Sequence, residues 1–151
     1  MSNFTTVYDR IRTELATLYP SKTELPYPYF LEGNPFGFLV DGYGLVVNES
    51  ILGELNEFSS SSVRHNISVI LTREVVRMEG DVEPMHTQTK TLIEDLVSLR
   101  VKFLENEQLT IGSAIQAVNF VGMSPVIFIN GDKSDIISAS ITFSFELSEL
   151  I

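Results

Sequence analysis

The sequence predicts an α+β domain: a mostly antiparallel sheet of about four to six strands with two amphipathic helices on one face. Three observations carry this. Two segments place apolar residues at steps of three and four, the spacing of a single helical stripe. Two others alternate apolar and polar residues with period two. The order (helix, strands, helix, strands, with short turns between the last strands) keeps the helices apart from a sheet whose neighbours pair antiparallel. At 151 residues the chain fits one domain, 1–151. A domain of that size hides roughly 70% of its unfolded surface.

Phe4, Val7, Tyr8, Ile11, Leu15 and Leu18 form the first stripe. Ser2 or Asn3 is placed to cap it, and Pro20 stops it by disfavouring helical geometry in the preceding residue. From Pro20 to Gly37 the chain reads as a loop: Pro20, Pro26, Pro28 and Pro35 remove donors, and Gly33-Asn34 marks a turn. This loop also carries Tyr27, Tyr29, Phe30 and Phe36. It either covers the domain's own core or contacts a neighbouring subunit. Phe38 to Val47 follows, as a hairpin about Asp41-Gly42 or as one strand interrupted by glycines 42 and 44. Glu49 to Ser62 reads as a loop ending in a mobile serine tip, Ser59 to Ser62.

Val63 to Val76 is a strand, with His65, Ile67, Val69, Leu71 and Val75 on one face and Arg64, Asn66, Ser68, Thr72 and Glu74 on the other. Arg73 shares the apolar face near the strand's end. There it either snorkels to solvent or pairs with a carboxylate across a subunit boundary. An acidic turn around Gly80-Asp81 leads to a second helix, from about Met85 to Leu104. Its stripe is Leu92, Leu96, Leu99 and Phe103, widened by Ile93 and Val97, with Thr87 or Thr89 as its cap. Three strands close the chain: Ala114 to Val121, Pro125 to Ile129, and Asp135 to Leu147. In the last, Ile137, Ala139, Ile141, Phe143, Phe145 and Leu147 alternate with Ser138, Ser140, Thr142, Ser144 and Glu146. One face therefore packs on apolar groups and the other meets water or a polar partner.

Composition excludes several function classes. Ten basic against twenty acidic side chains give a formal charge of −10. Wrapping nucleic acid or binding an anionic membrane surface needs the opposite sign. Asp9, Arg10, Arg12 and Glu14 are wrong for a signal peptide, and no apolar run approaches the ~20 residues that span a bilayer. The absence of cysteine excludes a disulfide scaffold, a thiol nucleophile and thiolate zinc sites. His65 and His86 lack HExxH or HxxE spacing and read as a strand-end side chain and a helix-start residue. No GxSxG elbow, P-loop or GxGxxG is present, and Ser124, beside a turn, has no recognisable base. Glu79, Asp81 and Glu83 lack calcium-loop spacing and read as a solvated turn. The sequence thus assigns no catalytic, cofactor-binding or metal residue and no cofactor, and it predicts a protein that is not an enzyme. A small ligand-binding α+β domain and an acidic regulatory module stay open beside an assembly protein.

Five features together resemble the tail terminator family of long-tailed bacteriophages. They are the short N-terminal helix with Val7-Tyr8-Asp9-Arg10-Ile11; the segment Phe38-Leu39-Val40-Asp41-Gly42-Tyr43-Gly44; the strand with Ile70-Leu71-Thr72-Arg73-Glu74-Val75; a single long helix after an acidic turn; and the terminal strand Ile141-Thr142-Phe143-Ser144-Phe145-Glu146-Leu147. The resemblance implies a virion protein, assembled in the host cytoplasm as a hexameric ring at the head-proximal end of the tail. Such a ring caps the tail tube protein, ends tube growth and presents a surface to a head-side neck or connector protein. Genomic DNA passes through its lumen without specific binding. A head-completion or neck connector protein is the alternative. Ring closure repeats two unlike patches around an axis. The candidate patches are Tyr27, Tyr29, Phe30 and Phe36, favoured because aromatics concentrate at interface cores; the Ser59 to Ser62 tip; the turn with Asn130, Gly131 and Asp132; and Arg73. Carboxylates lining the lumen are expected to repel phosphate and let DNA slide.

Overall fold

A computed structural model describes residues 3–25, 41–55, 60–76, 78–105, 115–130 and 134–150. The elements run α1 (Asn3–Leu18), β1 (Thr23–Glu24), β2 (Gly42–Leu55), β3 (Ser60–Val76), α2 (Glu83–Glu105), β4 (Ile115–Met123), β5 (Ile127–Ile129) and β6 (Ser134–Leu150). They form one six-stranded sheet in the order β1-β2-β3-β6-β4, with β5 also on β6. Every pairing is antiparallel except the two-residue β1, which runs parallel to β2. This is the α+β architecture that the periodicities predict.

Both helices lie on one face. Val7, Ile11 and Leu15 of α1 and Leu92, Leu96, Leu99 and Phe103 of α2 share a single core with Ile67, Val69 and Leu71 of β3 and Ile141, Phe143 and Phe145 of β6. Phe103 meets Phe143 with ring centroids 5.0 Å apart, an edge-tilted geometry that aromatic pairs favour. Glu14 bridges the helices, 2.9 Å from Arg10 and 3.7 Å from Lys102. These partly exposed ion pairs fix orientation more than they add stability.

The opposite face departs from expectation. Ser68, Thr72, Ser138 and Ser144 are buried there, and so are Ile70 and Ile136. The hydroxyls satisfy one another and the backbone. Ser68 Oγ lies 2.6 Å from Thr142 Oγ1, Asn48 Nδ2 donates to Ser68 Oγ at 2.5 Å, and Ser138 Oγ donates to the Leu71 carbonyl at 3.1 Å. Buried polar groups are tolerated when paired in this way. The alternation gives the correct facing, but the centre of the polar face is closed to water.

Four boundaries are also corrected. Of the two readings at Asp41-Gly42 the single strand holds and the hairpin does not, with the strand beginning at Gly42; Phe38 to Val40 lie outside the described residues. Glu49 to Ser62 is not a loop. β2 continues to Leu55 and β3 begins at Ser60, through Ser50↔His65, Leu52↔Val63 and Leu55↔Ser61, with register shifts after Val47 and Leu52. Ser60 to Ser62 pair with Leu150, Glu149 and Ser148 and are strand rather than tip; Ser59 lies outside the described residues. Asn48, Glu49 and Ser50 are exposed in succession and interrupt the alternation by which a strand would be read. α2 begins at Glu83, two residues early, because Asp81 Oδ1 accepts the Glu83 N–H at 2.9 Å and Gly80 turns the chain at φ 75°. Thr89 is no cap; its hydroxyl donates to the Met85 carbonyl inside the helix.

The fourth correction concerns the last strands. β4 and β5 do not pair with each other. They lie end to end along β6, β4 against Leu147 to Ile141 and β5 against Ser138 to Ile136. Between them Ser124 holds the ladder, donating its N–H to the Ser140 carbonyl and accepting the Ser140 N–H on Oγ, both at 2.9 Å. Pro125, which has no N–H to donate, then bulges outward.

Candidate functional site

Three places in the fold bear on function: a buried arginine, a clamp, and an exposed apolar surface. Arg73 is 1% exposed. Its Nη2 pairs with Asp95 Oδ2 of α2, its Nη1 donates to the Thr72 carbonyl at 2.7 Å, and Cζ stands 5.7 Å from the Tyr19 ring centroid. Both sequence-based alternatives are therefore overturned. Arg73 neither reaches solvent nor pairs across a subunit boundary, because helix α2 crosses the strand end and supplies the carboxylate. Burial, followed by the Asp95 charge, pushes the Tyr19 phenol up to about 12 against the opposing pull of Arg73. This network locks α2 and the end of α1 onto β3.

The clamp sits at the base of the aromatic segment. Lys22 Nζ donates to Asp41 Oδ2 at 2.8 Å, and Asp41 Oδ1 accepts the Glu74 N–H at 2.6 Å. Burial works to raise the Asp41 carboxyl. The Lys22 hydrogen bond, the Glu74 N–H and the nearby Lys22 and Arg73 charges outweigh it, so the group lies below its usual range. Thr23 N donates to the Asp41 carbonyl at 3.1 Å and Leu25 N to the Tyr43 carbonyl at 2.7 Å. The chain therefore leaves past Leu25 and returns at Asp41 along one short parallel ladder. Gly42 permits this approach: a Cβ there would stand 2.8 Å from both Leu25 Cδ2 and the Thr23 carbonyl.

Tyr27, Tyr29, Phe30 and Phe36, which the clamp brackets, lie outside the described residues, as do Gly131 and Asp132. Asn130 is exposed just past β5. Of the sequence-derived interface residues, the structure thus positions Arg73, buried beneath α2, and Asn130, exposed past β5.

The exposed apolar surface is what sequence reasoning missed. Ile93 and Val97 widen the stripe of α2 on paper, yet they are 36% and 47% exposed, and Val101 continues their line. Lys102 on one flank of α2 faces α1 through Glu14, whereas Arg100 on the other lies over Phe120 of β4, 4.9 Å from its centroid. The apolar line runs along that second flank. Arg100 joins that flank to Phe120, and on the β4–β5 edge Phe120, Val121, Val126 and Phe128 are also exposed. The signal was available: one helix carried apolar residues over nearly half its circumference, more than a single stripe needs.

A second apolar patch caps the turn before α2, with Val76, Met78 and Val82 exposed among Glu79, Asp81 and Glu83. Two clefts flank it. One, of about 490 Å³, is lined by Val75, Met78, Val82, Met85, His86 and Asp135. The other, of about 420 Å³, is rimmed by Glu74, Asp81 and Glu83 over Val76, Met78 and Pro84. No three His, Asp or Glu side chains converge as a metal site among the described residues. No helix among them is long and apolar enough to cross a membrane. Comparison with protein families and with curated proteins finds no match to the chain.

Proposed function

We propose that the chain is a structural subunit that closes as a ring on the end of a phage tail tube, ends tube polymerisation and offers its far side to a neck or connector protein. The observation that carries the reading is the exposed apolar line along α2, with the exposed apolar side chains of the β4–β5 edge beside it. Large apolar side chains left exposed along one helix flank and the neighbouring sheet edge mark an interaction site. The clamp at Asp41 and Gly42 adds support, since it holds both ends of the Pro-aromatic segment at one place on the sheet edge. A negative chain suits a lumen that DNA crosses without capture. The resemblance drawn from the sequence supplies the partners: tail tube protein on one side, head-side connector on the other, and genomic DNA within.

A capping subunit and a neck connector place different surfaces against the tube, so one assay separates them. Tube protein polymerised with the chain present should give short tubes that do not regrow on addition of fresh tube protein. Tubes of unrestricted length, together with binding to purified heads, would favour the connector. Unrestricted length without binding to either would refute both.

A further inference from the structure

The two exposed apolar patches carry opposite charge. On α2, Lys90 and Arg100 flank the line Ile93, Val97 and Val101, with Glu94 the single carboxylate beside it, and neither cation is within ion-pair distance of a carboxylate among the described residues. At the turn, Glu79 and Glu83 surround Met78 and Val82 and meet no cation among the described residues. In a chain of formal charge −10, a cationic apolar flank is the exception. It matches the acidic apolar turn in both respects. One molecule cannot join them. Glu83 and Val97 are on the same helix, 14 residues apart, which is about 21 Å along its axis at ~1.5 Å per residue.

We infer that the chain self-associates head to tail, the turn 78–83 of one copy seating on the α2 flank and Phe120 of the next. The acidic cleft of about 420 Å³ has the lining that an arginine side chain wants: Val76, Met78 and Pro84 for the aliphatic stem, and Glu74, Asp81 and Glu83 at the rim for the guanidinium. Arg100, which lies over Phe120, is the exposed guanidinium of the partner surface. Because the two patches differ, the contact is heterologous and repeats from copy to copy. The inference deepens the ring reading and rests on it for closure into a ring.

Two reversed variants test it by sedimentation velocity: Lys90→Glu with Arg100→Glu, and Glu79→Lys with Glu83→Lys. The wild type should associate at low salt and dissociate as salt rises to 0.5 M, where exposed charge pairs are screened. Each variant alone should bind itself at least tenfold more weakly. An equal mixture should associate again, since each reversed patch then faces its complement. That recovery also shows both variants to be folded. A wild type that stays monomeric at low salt, or variants that associate as the wild type does, would overturn the assignment. Association insensitive to both reversals but lost in Val121→Pro would assign the contact to symmetric pairing of β4–β5 edges instead. If tube capping survives both reversals, these surfaces are wrong and the ring reading stands. If the mixture recovers but tubes grow unchecked, the ring reading alone fails.

Discussion

Replacing Asp95 by alanine strands a guanidinium that has no route to solvent. Arg73 is 1% exposed, and its Nε already lacks a partner among the described residues. Without Asp95, Nη2 loses its carboxylate and only the Nη1 bond to the Thr72 carbonyl is left. Removing one partner of a buried pair costs about 3–5 kcal/mol. Asp95 is itself 31% exposed, so water can partly replace it, and the lower end, about 3 kcal/mol, is expected. That is a large share of the ~5–15 kcal/mol that holds a typical domain together. It should lower Tm by about 6–12 °C in a chain of this size. Urea unfolding at neutral pH measures it as a fall in midpoint at constant slope. The double variant Arg73→Met, Asp95→Ala should recover part of the loss, because a Met fills the site with no charge to desolvate. A single-variant loss below about 1 kcal/mol, or no recovery in the double variant, would refute the claim that the pair is a buried lock.

Three further outcomes follow from the clamp and the segment it brackets. Asp41 has a lowered folded-state pKa. Its contribution is therefore present above the unfolded value near 4 and is lost as pH falls through the folded value. Urea midpoints should drop as pH falls below about 4, and less steeply in Asp41→Asn. Gly42→Ala forces a Cβ to 2.8 Å from the Thr23 carbonyl, and backbone cannot yield as a leucine tip can. It should cost about 1–3 kcal/mol and speed hydrogen exchange at the amides of Thr23 and Leu25. Tyr29→Ser with Phe30→Ser should abolish ring formation while circular dichroism and melting stay those of a folded monomer. Loss of folding would mean that these aromatics cover the chain's own core.

The legible parts of the fold are those where one face is buried along an element's length. α1, α2, the centre of β3 and β6 each write burial into the sequence as a period. The middle of β2 does not, since Asn48, Glu49 and Ser50 are exposed one after another and break the period. Two-residue β1 is too short to hold a pattern, and the collinearity of β4 and β5 rests on Ser124 replacing a ladder partner, which periodicity cannot encode. At the candidate site the limit is tertiary. That Arg73 meets Asp95, twenty-two residues on, depends on where α2 crosses the sheet. Ile93 and Val97 look like core until the helix's orientation turns them outward.

The central claim is that this chain acts by closing a growing assembly. Its most direct measurement is electron microscopy of tail tubes assembled with the labelled chain. The account predicts label at one end of each tube, as a single ring with the tube's own rotational symmetry and with DNA-sized clearance at its axis. Label scattered along tube walls, or tubes bare at both ends while the chain stays free in solution, would contradict it.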